Sequence, residues 1–140
     1  MIGEIQTDLS TLQFKPKQMS PLNLAFIGDG IFELMVRTRL IEKGSMPVGK
    51  LHSLAIKHVC AKSQARALDE IFNILNEEEI EIFKRGRNAN SVKPPKNQDP
   101  LDYRKATGLE ALFGFLYLSE EKERIIELFN IIWNYNVNNT

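Results

Sequence analysis

The chain has 140 residues, of which 43% are hydrophobic and 26% are charged, and its 18 basic residues equal its 18 acidic residues in number. This length and composition are typical of one ordered globular domain, and they exclude an intrinsically disordered or collagen-like chain. A formal net charge of zero also excludes a surface that is basic overall and binds polyanions on every side.

The first strong helix signal is Ser20-Pro21, an N-cap residue followed by a proline at the first helical position. We predict a helix from there to about Glu42, where the cation and the glycine of Lys43-Gly44 form a typical C-terminal stop. Apolar residues then recur at three- and four-residue steps from about Pro47 to Leu75. This periodicity predicts either one long helix or two short ones.

The second half of the chain contains three more predicted helices. Asn76, followed by three glutamates, resembles a capping box that opens a helix to about Arg87. A loop rich in asparagine and proline spans residues 88–100, and a long apolar helix follows it. Ser119-Glu120-Glu121 caps the last helix, and residues 136–140 are predicted to be a frayed tail.

All of these elements are predicted to lie in one domain. We expect an all-α fold for residues 1–140, with residues 1–19 as an N-terminal extension. No apolar run reaches the roughly 20 residues of a membrane helix, and the N-terminus lacks the pattern of a signal peptide. The single cysteine, Cys60, cannot form an internal disulfide. The sequence therefore predicts a cytoplasmic protein without a membrane partner.

Two acidic residues stand alone in the most apolar stretches of the chain. Asp29 lies in the first helix and Glu110 in the long apolar helix, and each has a glycine on either side. A carboxylate among apolar neighbours is costly unless it is paired, hydrogen-bonded or bound to a cation. Because glycine allows close approach of another backbone, two such helices could cross and bring both acids to one divalent cation.

Ordinary buried salt bridges are an equally open interpretation of these acids. Each acid has two basic residues in its own helix that could pair with it: Arg37 and Arg39 for Asp29, and Arg104 and Lys105 for Glu110. If the acids bind a cation, their hard oxygen ligands and the absence of a nearby histidine favour Mg²⁺ or Mn²⁺ over Zn²⁺. Glu33, one helical turn after Asp29, is a third candidate ligand.

Positive charge is concentrated in one stretch of the chain. Between Lys84 and Lys105 there are seven basic and two acidic residues, and the rest of the chain is correspondingly acidic. This asymmetry predicts that a polyanion would bind at one face of the protein rather than over its whole surface.

Four sequence motifs occur in an order that is found in a known family. They are Leu24-Ala25-Phe26-Ile27-Gly28-Asp29-Gly30-Ile31-Phe32-Glu33, Gln64-Ala65, Arg85-Gly86-Arg87-Asn88-Ala89 and the stretch from Ala106 to Leu118. In this order and at this spacing they resemble the ribonuclease III family. The resemblance is strongest to Mini-ribonuclease III, the short bacterial form that has no double-stranded-RNA-binding domain.

The resemblance implies a helical ribonuclease III endonuclease domain that works as a homodimer. It implies hydrolysis of double-stranded RNA with Mg²⁺, or with Mn²⁺ in its place, leaving 5′-phosphate and 3′-hydroxyl ends. In family terms Asp29 is the catalytic carboxylate and Glu110 the metal-binding glutamate. For the Mini-ribonuclease III branch it further implies maturation of the 23S ribosomal RNA precursor, with a ribosomal protein as a candidate helper.

The sequence departs from full-length ribonuclease III at two positions. That family has further acids where this chain has Ala25 and Thr107, so the resemblance implies a metal site with fewer charged ligands. Loss of Asp29 or Glu110 would have favoured an alternative class, a catalytically inert RNA-binding or ribosome-associated relative. Both acids are present.

A catalytic dimer without a separate RNA-binding domain must hold the duplex itself. The expected phosphate contacts are Arg85, Arg87, Lys93, Lys96, Arg104 and Lys105, with Asn88 and Asn97 as hydrogen-bonding partners for sugar or phosphate. The apolar residues Phe26, Phe32 and Met35 are the candidate dimer seam, because symmetric homodimer interfaces tend to be apolar.

Overall fold

The computed structural model describes residues 12–89 and 94–139, and every regular element in these ranges is helical. The predicted all-α fold is therefore confirmed. Two short 3₁₀ turns accompany six α-helices, which we number α1 (Pro21–Glu42), α2 (Val48–Val59), α3 (Ala61–Ile71), α4 (Glu77–Arg87), α5 (Pro100–Leu118) and α6 (Lys122–Asn138).

Most of the predicted helix ends are confirmed, and the reasons are local. Gly44, after α1, has a φ of +123°, a conformation that favours glycine. Asn76 caps α4 in a complete capping box, in which its Oδ1 accepts from the Glu79 N–H at 2.8 Å and Glu79 Oε1 accepts from the Asn76 N–H at 2.9 Å. Cys60, between Val59 and Ala61, has an extended backbone conformation with a ψ of 154°. This residue interrupts the helix, so two short helices form rather than one long helix.

The end of the last helix differs from the prediction. Helix α6 continues to Asn138, although residues 136–140 were predicted to be a frayed tail. Asn136 is buried, at 5% exposure, so the packing of this turn holds the helix together beyond the point where its polar sequence favours fraying.

The centre of the molecule is α5 rather than α1, although both helices are apolar in sequence. Helix α5 packs against α1, α3, α4 and α6 and is buried at nearly every position from Ala106 to Tyr117. Helix α1 is less enclosed, because Phe26, Leu34 and Ile41 on it are exposed. Among residues 12–89 and 94–139, no helix has the length and apolarity needed to cross a membrane.

A buried ion pair joins α4 to α6. The Arg124 guanidinium donates to both carboxylate oxygens of Glu79, at 2.8 and 2.9 Å, and also to the Ile74 main-chain oxygen at 2.6 Å. Glu79 is 3% exposed. Burial alone would raise the pKa of Glu79, but hydrogen bonds from Arg124 and from the Asn76 backbone, with the charge of Arg124, hold that pKa below its usual value.

We expect Arg124→Leu to lower the free energy of unfolding by about 3–5 kcal/mol, because the charge of Glu79 would remain buried without its partner. Adding Glu79→Gln to this variant should recover part of the loss, since the neutral amide keeps the capping oxygen and removes the unpaired charge. Urea denaturation of the three proteins at pH 7 measures both effects. A loss below about 1 kcal/mol for Arg124→Leu would show that the pair contributes little.

Candidate active site

Helices α1 and α5 cross in direct backbone contact, and glycines make this possible. A methyl group added at Gly28 would overlap the main-chain oxygen of Glu110 and would lie 2.8 Å from the Gly114 nitrogen. A methyl group added at Gly114 would overlap the main-chain oxygen of Leu24. The predicted close crossing of two glycine-containing helices is therefore present, with Gly28 and Gly114 as the contact points.

The other two glycines beside the acids have different surroundings. A methyl group at Gly30 would meet nothing within 4 Å. Gly108 faces α4, where a methyl group would lie 2.6 Å from the Phe83 ring, and Gly86 of α4 lies against Gly108 in return. Glycine therefore brings α5 close to two helices, α1 on one side and α4 on the other.

This crossing places the carboxyl groups of Asp29 and Glu110 within hydrogen-bonding reach of each other. Asp29 is exposed and Glu110 is partly buried. Burial raises the pKa of Glu110, and the charge of Asp29 and the hydrogen bond between the two groups raise it further, to about 8. Near neutral pH and without a cation, Glu110 therefore keeps its proton beside Asp29.

The basic residues that could have neutralised the two acids have other partners or point elsewhere. Arg37 pairs with Glu33 at 3.1 Å, Arg39 donates to Asn130, and Lys105 pairs with Asp69 at 3.6 Å. Arg104 is exposed. In the described part of the chain, none of these four cations forms an ion pair with either acid, so the salt-bridge interpretation is not what the structure shows.

The donor set of this pair fits a divalent cation of the Mg²⁺ type. Two adjacent carboxylates without a cationic partner offer hard oxygen ligands and an excess of negative charge. Across residues 12–89 and 94–139, no group of three or more His, Cys, Asp or Glu side chains is placed to hold a metal. Glu33, a candidate third ligand by sequence, is instead paired with Arg37. Two protein ligands suit Mg²⁺, which usually retains several of its waters.

The two positions where full-length relatives carry further acids hold residues with structural roles. Ala25 is buried at 6% exposure beside the crossing point. Thr107 turns its hydroxyl to its own helix and donates to the Tyr103 main-chain oxygen at 3.0 Å. Neither position adds a carboxylate to the pair.

The raised pKa of Glu110 leads to a prediction about stability. Folded Glu110 holds its proton up to about pH 8, whereas an unfolded glutamate loses it near pH 4.3. The folded state therefore binds more protons in this interval, and its stability falls as pH rises, by at most about 1.4 kcal/mol per pH unit. Glu110→Gln should be increasingly more stable than wild type from pH 5 to pH 8, in urea titrations with EDTA. Parallel curves for the two proteins would contradict the prediction.

The structure adds one residue that sequence reasoning assigned no role. Gln64 of α3 is 1% exposed, and its side chain lies near enough to Glu110 to lower the pKa of that carboxyl, as a donor would. Neither of its amide atoms reaches hydrogen-bond geometry with a partner in the described residues. The sequence signal that could have indicated a buried role for Gln64 is its position beside the apolar residues Ala65 and Leu68 on one helix.

Some of the predicted phosphate contacts bond to other groups of the protein, and others are exposed to solvent. Arg85 donates to the main-chain oxygens of Lys17 and Met19, at 2.9 and 2.8 Å. It fastens the segment before α1 to α4 with two of the five N–H donors of its guanidinium, and its role as a phosphate contact stays a prediction.

The other candidates lie around the end of α4 and the start of α5. Arg87 stacks over the Phe83 ring and donates to Asn88 Oδ1 at 3.1 Å. Four candidates are exposed, namely Asn88, Lys96, Asn97 and Arg104. Lys105 is partly buried and paired with Asp69, as described above, and Lys93 lies outside the described residues. Because Gly86 lies against Gly108, the end of α4 that carries Arg87 and Asn88 lies beside the stretch of α5 that carries Glu110.

Of the three residues of the candidate dimer seam, Phe26 fits the prediction best. Phe26 is 83% exposed and lies on α1 three residues before Asp29, hence on the same side of the helix. Phe32 was wrongly placed at the seam: it is 1% exposed and packs edge-on against Phe113 and Phe129 at 5.5 and 5.6 Å. Met35 is partly buried against the core.

The chain is similar over most of its length to a defined group of proteins. Residues 22–121 match the ribonuclease III domain family. The chain is 47% identical to Mini-ribonuclease 3 of Clostridium tetani, over 84% of this chain and 79% of that protein. It is 48% identical to Mini-ribonuclease 3 of Brevibacillus brevis, over 81% of this chain and 84% of that protein.

A solved structure has the same architecture. The crystal structure of a protein from Fusobacterium nucleatum superposes with a TM-score of 0.76 and 34% identity, covering 84% of this chain and 93% of that one. The helical arrangement that carries Asp29 and Glu110 thus lies within the matched family domain.

Proposed function

This chain belongs to the Mini-ribonuclease III branch of the ribonuclease III family and is an endoribonuclease, and from this premise we propose that it cleaves double-stranded RNA in a Mg²⁺-dependent reaction. The observation that carries the proposal is the adjacency of Asp29 and Glu110, two carboxylates with no cationic partner in the described residues. Mn²⁺ is expected to replace Mg²⁺, since both take hard oxygen ligands.

In this proposal the two acids have different parts. When bound, the cation would supply Lewis-acid catalysis at the scissile phosphodiester. Asp29 is exposed, so its carboxylate would be accessible to a nucleic-acid strand. Glu110 is partly buried and held by the helix crossing, so it fixes the position of the ligand pair. The expected products carry 5′-phosphate and 3′-hydroxyl ends, as the family resemblance implies.

Binding of the duplex is assigned to the basic region that follows α4. Double-stranded RNA is recognised mainly through its shape, its phosphates and its 2′-hydroxyls. Lys96 and Arg104 are exposed and supply charge for phosphates, and Asn97 adds an amide for sugar or phosphate oxygens. Arg87 and Asn88 can join them if their mutual hydrogen bond opens, and Lys105 can join them if its pair with Asp69 opens.

We also propose a homodimer that covers Phe26. A phenylalanine that is 83% exposed beside the acid pair would place the two sites of a symmetric dimer close to its seam. We expect Phe26→Asp to convert the dimer to monomer while leaving the far-ultraviolet circular dichroism unchanged, because the side chain packs against little in its own protomer. Analytical ultracentrifugation measures the change, with Ile126→Asp, an exposed residue of α6, as the control. A dimer that survives Phe26→Asp would place the interface elsewhere.

For the natural substrate we propose the 23S ribosomal RNA precursor, on the strength of the Mini-ribonuclease III resemblance, with a ribosomal protein as a candidate helper. The direct test is cleavage of a short RNA duplex by the purified protein with Mg²⁺, with Mn²⁺ and with EDTA, followed by analysis of the product ends. A second arm compares a precursor stem with an unrelated duplex of equal length. Cleavage that persists in EDTA would overturn the metal dependence, and equal rates on both duplexes would overturn the preference.

A further inference from the structure

Gln64 is the most deeply buried polar side chain near the acid pair. It lies in the first turns of α3 and is 1% exposed. Both of its amide atoms, Nε2 and Oε1, lack a hydrogen-bond partner among the described residues. A buried polar group without a partner costs about 1–3 kcal/mol, and such groups in folded proteins call for an explanation.

The helix packing brings Gln64 close to one polar group in particular, the Glu110 carboxyl. Its neighbours on the buried face of α3 are Ala65, Ala67 and Leu68, all of which are apolar. Helix α3 packs against α5, and the Gln64 side chain lies close enough to the Glu110 carboxyl to influence it as a hydrogen-bond donor.

We propose that Gln64 is a positioning residue for Glu110, its Nε2 donating to the Glu110 carboxylate and holding that carboxylate toward Asp29 when the pair binds a divalent cation. The inference rests on the proposed function, because it assumes that the pair is a metal site. Ligating carboxylates are usually oriented by hydrogen bonds from a surrounding group, and loss of that group typically weakens metal binding by about 10- to 100-fold.

The chemistry of a carboxamide suits this position better than that of a charged group. An arginine or lysine here would pair with Glu110 and compete with the cation. An added carboxylate would raise the negative charge of the site without providing a donor at neutral pH. A neutral amide supplies the donor and leaves the charge of the two acids available to the cation.

The test is Mn²⁺ binding to the RNA-free protein, measured by electron paramagnetic resonance at pH 7.5. Two variants remove the contact in different ways: Gln64→Met keeps the length but has no donor, and Gln64→Asn keeps the amide but is one methylene too short. Leu68→Met, one turn along α3, controls for altered packing. We expect the Kd for Mn²⁺ to rise about 10- to 100-fold in both Gln64 variants and to stay at the wild-type value in Leu68→Met.

Thermal unfolding in EDTA separates positioning from packing. We expect the unfolding midpoint of Gln64→Met to be equal to that of wild type or higher, since an unpartnered amide is replaced by an apolar side chain of similar volume. Wild-type Mn²⁺ affinity in both Gln64 variants, with or without a lower midpoint, would overturn the inference.

Asp29→Asn, measured in parallel, distinguishes failure of the proposed metal site from failure of the positioning role of Gln64. If Asp29→Asn binds Mn²⁺ as tightly as wild type, the proposed metal site itself fails. If Asp29→Asn loses Mn²⁺ and the Gln64 variants keep it, the metal site stands and the positioning role of Gln64 is wrong.

Discussion

Asp29→Asn is expected to reduce the rate of duplex RNA cleavage by about a thousandfold or more while the protein stays folded. The substitution keeps the shape of the side chain but removes the negative charge that the pair offers to a cation. Charge placed where the transition state needs it is among the largest contributions to enzymatic rate. Because Asp29 is exposed and carries no salt bridge in the described residues, the change should leave packing intact.

The measurement combines single-turnover cleavage with RNA binding. Binding of the duplex by Asp29→Asn, followed by fluorescence anisotropy without added metal, should match that of wild type, since the basic region beyond α4 is unchanged. Glu42→Gln serves as the matched control, because Glu42 is an exposed acid at the far end of the same helix. Cleavage by Asp29→Asn at more than a tenth of the wild-type rate would show that the reaction does not depend on this carboxylate.

Gly28→Ala is expected to destabilise the protein by about 3 kcal/mol or more, at the upper end of overpacking effects. The new methyl group would overlap the Glu110 main-chain oxygen, and a backbone atom cannot rotate away as a side chain can. Helices α1 and α5 would have to separate, and with them the carboxyl groups of Asp29 and Glu110. Activity should therefore fall along with stability.

Gly30→Ala, two residues along the same helix, is the matched control. Apart from the adjacent residues and the backbone of α1 itself, no atom of the described protomer lies within 4 Å of the added methyl group, so the better helix propensity of alanine should stabilise the protein by up to about 1 kcal/mol. Urea denaturation of both variants at pH 6 provides the comparison. Similar stabilities for the two alanine variants would mean that the close crossing at Gly28 is not what holds α1 against α5.

The helices were predictable from sequence where local chemistry determines them. Ser20-Pro21, the Asn76 capping box and Gly44 act within a few residues of the chain, and the helix ends that they mark are confirmed. The enclosure of each helix was less predictable. Helices α1 and α5 are both apolar, yet α5 is the one surrounded by neighbours, because enclosure depends on the packing of the whole chain.

In the candidate site, too, features that depend on local sequence were predictable and features that depend on packing of the whole chain were not. The glycines beside Asp29 and Glu110 indicated a close crossing, and the structure has it. The roles of Arg85 and Phe32 were not evident, since the carbonyl partners of Arg85 come from residues 66 and 68 positions earlier and Phe32 packs against rings of two other helices. Gln64 was visible as part of a motif, but its proximity to Glu110 depends on how α3 packs on α5.

The central position of α5 has a consequence for the lifetime of the carboxylate pair. Because α5 packs against four other helices, its amide hydrogens can exchange with solvent only when most of the domain opens. We therefore expect deuterium uptake around Glu110 to proceed at the rate of global unfolding, far more slowly than uptake in the exposed segment at Lys96 and Asn97. Local fluctuations would leave the backbone at Glu110 in place, so this half of the pair keeps its position for as long as the protein remains folded.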